Sequence, residues 1–438
     1  MKKSDNKKGS KSRSNVITQR APAYSTNRIY ADAAAATPLH PKVQARLVRM
    51  LDLYANPGAL HKEAVVTKDS LEDARAEIAE AIGAHSDEIY FTASGTEANN
   101  LALLGTLRPL LDKYVVCDGS PSMTLGDSWG GGVHAITINI EHQSVLEPLE
   151  HLRKYGLELS VVAVEKDGIV LPEKIAEAIR PETVLISVQP VNSEIGTIQP
   201  IREIMKIVRR VRKERVASGN VTPLIVHADA AQSPLYLLIR VDSLGIDLLT
   251  LDAQKIRGPK GVGALYVRRG INIEPIMFGG SQERGLRPGT PNLALAAALA
   301  EALTLAQKDK DVEVRVKKVE AVRDALIKKL RTAISDVEFN GSMEAGKRVA
   351  NNLNIYIPGL DGETATLALD ALGVCASTRA VCSVNSVHGS HVLDAIGASR
   401  ERSIGAIRLT FLPTANKSDV QHIVQALVQA RALYGRFN

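Results

Sequence analysis

Lys255 is a lysine that follows a predicted buried strand, a position where an amine could be reactive. It lies in the stretch from Asp247 to Val267, between a run of apolar residues typical of a buried strand and a Gly-Pro-Lys-Gly turn that leads into a second apolar strand. One interpretation is a lysine whose stem lies on apolar surface while its ammonium group reaches water. The other is a reactive amine that forms an imine with an aldehyde cofactor. Residues upstream decide between them.

Asp229 and His142 follow other predicted strands. Asp229 comes after the apolar strand Leu224–Val226, about one helix-and-strand unit before Lys255, so both are expected at adjacent strand ends of one sheet. A buried carboxylate needs a partner, and a protonated pyridine nitrogen would supply one. His142 follows a predicted strand at 135–140, where ligands bind in doubly wound sheets; the alternative is a solvent-facing or capping histidine.

A candidate anion site lies between the predicted strand 87–92 and the helix predicted from Ala98. Here Ser94, Gly95 and Thr96 could surround a phosphate with backbone N–H groups and hydroxyls, although Ser-Gly-Thr-Glu is also an ordinary capping box. An amine, a carboxylate, a histidine ring and a helix N-terminus are together what pyridoxal 5'-phosphate requires. The combination favours a cofactor site over four unrelated residues.

The elements that position these residues alternate between strand and helix. Such alternation over some 200 residues predicts an α/β fold with a parallel sheet. A helical stretch interrupted near Lys308 then leads into a second unit of α+β character. We expect a large cofactor-binding domain at 39–295, a small domain formed by 26–38 and 296–438, and a disordered basic tail at 1–25. The predicted helices and strands include helices at 172–178, 201–218 and 362–372, and strands at 159–164, 183–189 and 352–357.

Composition describes a globular protein of 438 residues with 45% hydrophobic content and a net charge of +6. Seven basic residues and one acidic residue among the first 20 account for that charge, so the body is neutral and no DNA-binding surface is indicated. The tail lacks the apolar core of a secretory signal, and no apolar run is long enough to span a membrane. Three cysteines without paired metal-ligand spacing indicate a reducing cytoplasm and no metal site.

Ten sequence motifs carry a resemblance to a known family. In chain order they read YADAAAATP, NPGALH, FTASGTEANN, IEHQSVLEP, VNSEIG, HADAAQ, QKIRGPKGVGALYV, GGSQERGLRPGTPN, ASTRAVCS and SHVLDAIG. From about Tyr30 to Thr414 the chain resembles the cysteine desulfurases, class V members of the fold-type I pyridoxal-phosphate enzymes. The resemblance implies a large domain with a mostly parallel seven-stranded sheet flanked by helices, and a smaller α+β domain.

The resemblance also assigns roles to individual residues. Lys255 would be the imine lysine, Asp229 the partner of the pyridinium, and His142 the ring-stacking residue that relays protons. Gln232 would bond the ring hydroxyl, and Thr96 with Gly95 would bind the phosphate. The remaining positions implied in cofactor binding are Gln254, Ser193 and Thr290, the last reaching into the partner subunit's site.

On the substrate side, Arg408 would form a bidentate pair with the substrate carboxylate, a geometry that suits its planar fork. Ala35 and Asn192 would line the substrate site. Cys382 would be the nucleophile that takes sulfur from L-cysteine as a persulfide and leaves L-alanine. Arg379, three residues earlier, could lower the pKa of that thiol by charge interaction. Cys375 is interpreted as a small buried residue.

The implied protein is a homodimeric cysteine desulfurase that passes sulfur to an acceptor protein for iron–sulfur clusters or tRNA thiolation. Two alternatives stay open. One is another class V lyase or aminotransferase that uses the same cofactor, with Cys382 as a bystander. The other is a catalytically silent paralogue that serves as a scaffold.

Several positions depart from the family pattern. Asp252 and Gln254 replace a small hydroxyl residue and a histidine, Ser193 replaces an asparagine, Arg379 replaces a glycine, and Leu412-Pro413 stands where Gly-Arg is usual. A carboxylate near a phosphate is repulsive. We therefore expect Asp252 either to point away from the phosphate or to pair with a cation such as Arg257.

Overall fold

The computed structural model describes residues 28–112, 132–378 and 389–434. Three sequence-based predictions lie outside these ranges: the tail at 1–25, Arg379 and the nucleophile Cys382.

The described strands form three sheets. In chain order they are β1 (Ile29–Tyr30), β2 (Ile89–Thr92), β3 (Val133–Ile138), β4 (Leu157–Val162), β5 (Thr183–Ser187), β6 (Ile225–Asp229), β7 (Leu248–Asp252), β8 (Gly263–Val267), β9 (Glu338–Asn340), β10 (Asn352–Tyr356), β11 (Val374–Cys375) and β12 (Ala406–Thr410).

The described α-helices alternate with these strands. They are α1 (Pro41–Met50), α2 (Lys62–Ile82), α3 (Gly95–Leu111), α4 (Gln143–Arg153), α5 (Pro172–Ala178), α6 (Ile201–Ser218), α7 (Val241–Leu244), α8 (Leu293–Ala306), α9 (Asp309–Ala333), α10 (Gly362–Ala371), α11 (His391–Ala395), α12 (Arg400–Gly405) and α13 (Lys417–Tyr434). No helix in these ranges is both long enough and apolar enough to cross a membrane.

The central sheet has seven strands in the order β2-β8-β7-β6-β5-β3-β4. Only β8 runs against the others, pairing antiparallel with β2 and β7, whereas β7, β6, β5, β3 and β4 pair in parallel. The connection from β7 to β8 is a 3₁₀ helix and a tight turn, too short for the crossover that a parallel pair requires. The fold prediction of a mostly parallel seven-stranded sheet with flanking helices is confirmed.

A smaller antiparallel sheet, in the order β12-β10-β9, lies outside the central sheet. The N-terminal strand β1 pairs in parallel with β11, so the start of the chain joins the C-terminal part. The helical stretch around Lys308 divides into α8 and α9 where the sequence predicted an interruption. The domain boundaries at 39–295 and 296–438 stay a prediction.

Most sequence-predicted helices begin and end close to their expected positions, and α5 and α6 match them. Helix α3 begins earlier than predicted, at Gly95 rather than Ala98, because Ser94 caps it by accepting a hydrogen bond from the Glu97 N–H. The glycine at the start of β8 makes this arrangement possible. A Cβ at Gly263 would lie 2.7 Å from the Ser94 carbonyl carbon, so only glycine lets β8 pass beside the start of α3.

Candidate functional site

A cavity lies at the carboxyl edge of the central sheet, where β2, β3, β5, β6 and β7 end. The loop after β1 and Arg408 of β12 close it from the other side. Most of the predicted site residues line this cavity: Ala35, Gly95, Thr96, His142, Ser193, Asp229, Gln232, Gln254, Lys255 and Arg408. The carboxyl edge of the parallel strands is where open α/β sheets bind ligands.

Lys255 ends the 3₁₀ helix Ala253–Lys255 that directly follows β7. Its Nζ donates hydrogen bonds to the carbonyl oxygens of Ala34 at 2.9 Å and Ala35 at 2.7 Å. Gln232 donates from Nε2 to the same Ala34 carbonyl at 3.0 Å. The short turn after the buried strand therefore directs the amine across the cavity toward the loop after β1.

Asp229 is the last residue of β6 and lies beside Lys255's strand, as predicted, because β6 and β7 are neighbours. Asp229 is 8% exposed. One oxygen accepts from the Ala231 N–H at 3.0 Å and the other from the Asn99 amide at 2.8 Å. The carboxylate is thus held in one orientation while it still lines the cavity.

His142 lines the cavity and is also the N-cap of α4. Its Nδ1 lies 3.1 Å from the Ser144 backbone nitrogen and 2.7 Å from the Ser144 hydroxyl oxygen. The capping interpretation of this histidine is confirmed, and the cap holds the ring at the cavity wall. Its role in the site stays a prediction.

The first turn of α3 is the candidate anion site. In the described chain, no hydrogen bond is found from the backbone N–H of Gly95 or of Thr96. These two donors lie at the positive end of a 17-residue helix and line the cavity. Arg287 of the Gly-rich loop pairs with Glu97 of the same turn at 2.8 Å, which packs that loop against the start of α3.

Asp252 takes neither of the two arrangements expected for it. Its two carboxylate oxygens accept from Gln254, one from the backbone N–H at 3.2 Å and one from the side-chain amide at 3.1 Å. Among the described residues no ion pair joins Asp252 to Arg257. Asp252 does not point away, because it lines the cavity and its Oδ2 would lie 3.2 Å from a Cβ built on Gly95. The carboxylate therefore lies beside the candidate anion site.

Arg408, on β12, is 1% exposed. One guanidinium nitrogen donates to Asp32 at 2.8 Å, another to the Ser193 carbonyl oxygen at 3.4 Å, and Nε is buried without a hydrogen-bond partner. Arg408 thus reaches the cavity with unused donor capacity while Asp32 balances its charge.

Two predicted residues within the described ranges, Asn192 and Thr290, do not line this cavity. The Asn192 side chain is buried behind it, where Oδ1 accepts from the Glu194 and Ile195 N–H groups and Nδ2 donates to the Ile140 carbonyl, so it shapes the loop after β5. Thr290 is exposed at the end of the Gly-rich loop. Cys382 lies outside the described residues.

Sequence reasoning missed Asn99, Ser144 and Asp32. Asn99 and Ser144 line the cavity, and Asp32 pairs with Arg408. Asn99 lies one helical turn after Gly95 and Thr96, and this spacing was the available signal. Nothing in the local pattern identifies Asp32 as the partner of Arg408.

Burial shifts the pKa of two groups near the cavity in the direction that favours their neutral forms. Burial raises the pKa of Glu141, the residue before His142, well above its usual range, and the Asp229 charge raises it further, whereas the hydrogen bond from Gln189 lowers it. Burial lowers the pKa of His227 to about 4, against a smaller raising effect of Asp229. His227 contacts Ser187 at 2.9 Å and Thr250 at 3.2 Å, so it links β5, β6 and β7 below Asp229.

Comparison with known proteins agrees with this geometry. The family model described as Aminotransferase class-V matches residues 29–116 and 122–423. The chain belongs to the class-V aminotransferase family. Members of this family use pyridoxal phosphate.

Within this family, the similar proteins include cysteine desulfurases and NifS-like proteins. The cysteine desulfurase IscS of Dictyoglomus turgidum is 38% identical over 400 residues, which cover 91% of this chain and 93% of that protein. A NifS-like protein of known structure superposes with a TM-score of 0.80 at 28% identity, over 93% of this chain and 100% of that one. SspA, solved in complex with cysteine, has a TM-score of 0.71 at 30% identity, over 88% and 99%. The chain is therefore a homologue of cysteine desulfurases over nearly its whole described length.

Proposed function

We propose that this protein is a pyridoxal-phosphate-dependent cysteine desulfurase that converts L-cysteine to L-alanine with a persulfide on Cys382. The observation that carries the proposal is the convergence of Lys255, Asp229, His142 and Arg408 on one cavity. Two similarities support this proposal: the 38% identity with a cysteine desulfurase IscS, and the structural likeness to SspA, which was solved in complex with cysteine.

The cavity residues fit the cofactor at three points. Lys255 offers an amine for the aldehyde, and the oriented Asp229 carboxylate offers a partner for the ring nitrogen. The unpartnered N–H groups of Gly95 and Thr96 offer donors for the phosphate. Gln232 and Ser193 line the space between these points. Bound there, the cofactor supplies an electron sink for the substrate's Cα.

The chain's own residues would perform the remaining tasks. Arg408 would bind the substrate carboxylate through its unused donors, exchanging part of its pairing with Asp32. His142 would hold and move protons at the cavity wall. The Cys382 thiolate would attack the substrate sulfur, so that an S–S bond forms as the C–S bond breaks. The products are alanine and the Cys382 persulfide, a balance that needs no external oxidant.

A homodimer is part of the proposal. Large apolar side chains are exposed along one segment near α1 and α2: Val48, Leu51, Tyr54 (86%), Leu60 (97%), Val65 and Val66. Phe278, exposed to 82%, precedes the loop that carries Thr290. Such a concentration of exposed apolar area is typical of an interface, which supports a second copy of the chain and a site role for Thr290 across it. Sedimentation at micromolar concentration should give twice the chain mass.

Incubation with L-cysteine and a reductant tests the proposed reaction. The expected result is alanine and sulfide in equal amounts, lost in Lys255→Ala and in Cys382→Ala. Retained turnover to other products in Cys382→Ala would instead identify a lyase or aminotransferase of the same family. If no cofactor absorbance develops after saturation with pyridoxal phosphate, the scaffold alternative is favoured. The Asp252 carboxylate beside the candidate anion site would then be the physical reason for the failure to bind cofactor. We also propose that the enzyme acts in the cytoplasm and passes its persulfide sulfur to an acceptor protein for iron–sulfur clusters or tRNA thiolation.

A further inference from the structure

A chain of hydrogen bonds connects Asp229 to His142 through Asn99 and Ser144. Nδ2 of Asn99 lies 2.8 Å from Oδ2 of Asp229 and 2.8 Å from the Ser144 hydroxyl oxygen. That hydroxyl lies 2.7 Å from Nδ1 of His142. Asn99 and Ser144 are 1% and 8% exposed, so water competes little for these contacts. Three elements, α3, β6 and α4, meet in this chain.

At the Asp229 end the direction of the hydrogen bonds is fixed by charge. An ionised carboxylate only accepts, so the amide nitrogen of Asn99 must face it. The second amide hydrogen then points to the Ser144 oxygen. Oδ1 of Asn99 has no partner within the described residues. Rotating the amide would turn this oxygen toward the carboxylate, which disfavours the opposite orientation.

At the His142 end the direction is fixed by the backbone. The N–H of Ser144 can only donate, and it lies 3.1 Å from Nδ1 of His142. Nδ1 must therefore carry a lone pair, and the hydroxyl of Ser144 must donate to it as well. Since the hydroxyl donates to the histidine, it is free to accept from Asn99, which agrees with the direction set at Asp229.

We propose that Asn99 and Ser144 are positioning residues that fix His142 as its Nε2–H tautomer and hold the Asp229 carboxylate in one orientation. Because Asn99 lies one turn after Gly95 and Thr96 on α3, one rigid helix would align the phosphate end, the ring-nitrogen partner and the histidine of the site. The role of this arrangement in catalysis rests on the proposed function. The assignment of the His142 tautomer does not, because it follows from the hydrogen bonds alone.

Nitrogen-15 spectra of the protein labelled at histidine test the tautomer directly, with His142→Asn identifying the His142 signals. In the wild type, His142 should carry its proton on Nε2 when neutral. Because Ser144→Ala keeps the backbone N–H but removes the hydroxyl donor, the Nε2–H tautomer should persist while the Nδ1 resonance shifts as it loses one hydrogen bond. Ser144→Thr, which keeps the hydroxyl, should give the wild-type spectrum. Ser70→Ala serves as the matched control, because in the described part of the chain its hydroxyl bonds only the Val66 carbonyl of α2. A wild-type Nδ1–H tautomer, or a Ser144→Ala spectrum identical to wild type, would overturn the proposal.

A second variant tests the Asn99 half of the chain. Asn99→Ala should weaken pyridoxal-phosphate binding and lower kcat by ~10-fold with little change in KM for cysteine, because it disturbs orientation rather than substrate contact. Asn100→Ala, which removes an amide bonded to the Thr96 carbonyl on the same helix, should change neither. Equal effects of the two variants would contradict the inference. If the wild type does not desulfurate cysteine, the proposed function fails while the tautomer measurement still decides this inference.

Discussion

Replacing Asp252 with serine should strengthen pyridoxal-phosphate binding. The Asp252 carboxylate lies beside the first turn of α3, where its Oδ2 would be 3.2 Å from a Cβ on Gly95, and the only hydrogen bonds it accepts in the described chain come from Gln254. A phosphate on the Gly95 and Thr96 N–H groups would lie close to this charge. Serine removes the charge but remains a good N-cap for the 3₁₀ helix that ends at Lys255, so local structure should persist.

The size of the effect follows from the short separation. Two unit charges on the order of 5 Å apart repel by ~3 kcal/mol at an effective dielectric constant of about 20, and by ~0.8 kcal/mol at that of water. Because each 1.4 kcal/mol is about a tenfold change in affinity, Asp252→Ser should lower the dissociation constant by roughly 4-fold to 250-fold. Asp252→Asn, which keeps the shape of the side chain, should act in the same direction.

Titration of cofactor-free protein with pyridoxal phosphate, followed by absorbance, measures this dissociation constant. Asp112→Ser is the matched control, because Asp112 caps the opposite end of α3, ~25 Å away and beyond the screening length of physiological salt. High salt should narrow the difference between wild type and Asp252→Ser. Unchanged or weaker cofactor binding in Asp252→Ser would refute the placement of the phosphate at the start of α3.

Three further variants test other parts of the account. Arg408→Lys should raise KM for cysteine ~10- to 100-fold in steady-state assays, since lysine cannot hold Asp32 and a substrate carboxylate together; an unchanged KM would remove Arg408 from the substrate site. Burial lowers the pKa of His227 to about 4, so the unfolded chain takes up this proton before the folded one as pH falls. The free energy of unfolding should therefore drop by up to ~3 kcal/mol from pH 7 to pH 4, and urea unfolding of His227→Asn should lack this loss. Glu141 has a raised pKa, so its contribution to stability should decline as pH rises above the ordinary glutamate range, and Glu141→Gln should flatten that decline.

The sequence was sufficient to place residues that follow buried strands. Lys255, Asp229 and His142 each come directly after an apolar run, and in a parallel sheet such positions meet at one edge. The same logic gives no direction for β8, because that direction depends on the length of the connection from β7 rather than on its apolar pattern. The family resemblance placed Asn192 in the substrate site, but a loop position does not reveal whether a side chain faces the cavity or bonds its own turn, as Asn192 does.

Contacts between distant segments were beyond sequence reasoning. The pairing of Arg408 with Asp32 joins β12 to the loop after β1, and neither local pattern predicts it. Asp252 was expected to turn away or to pair with a cation, but an amide two residues later satisfies it instead. A hydrogen bond from a neutral neighbour is a third solution that charge arguments alone do not consider.

The central claim is that Lys255 holds an aldehyde cofactor in the cavity at the end of β7. Reduction of the protein with borohydride in the presence of pyridoxal phosphate, followed by mass measurement of its peptides, tests this claim most directly, because reduction makes a lysine–aldehyde link permanent. One cofactor mass on the peptide that contains Lys255, absent when cofactor is omitted, is the predicted result. Modification spread over surface lysines, or none at Lys255, would contradict it.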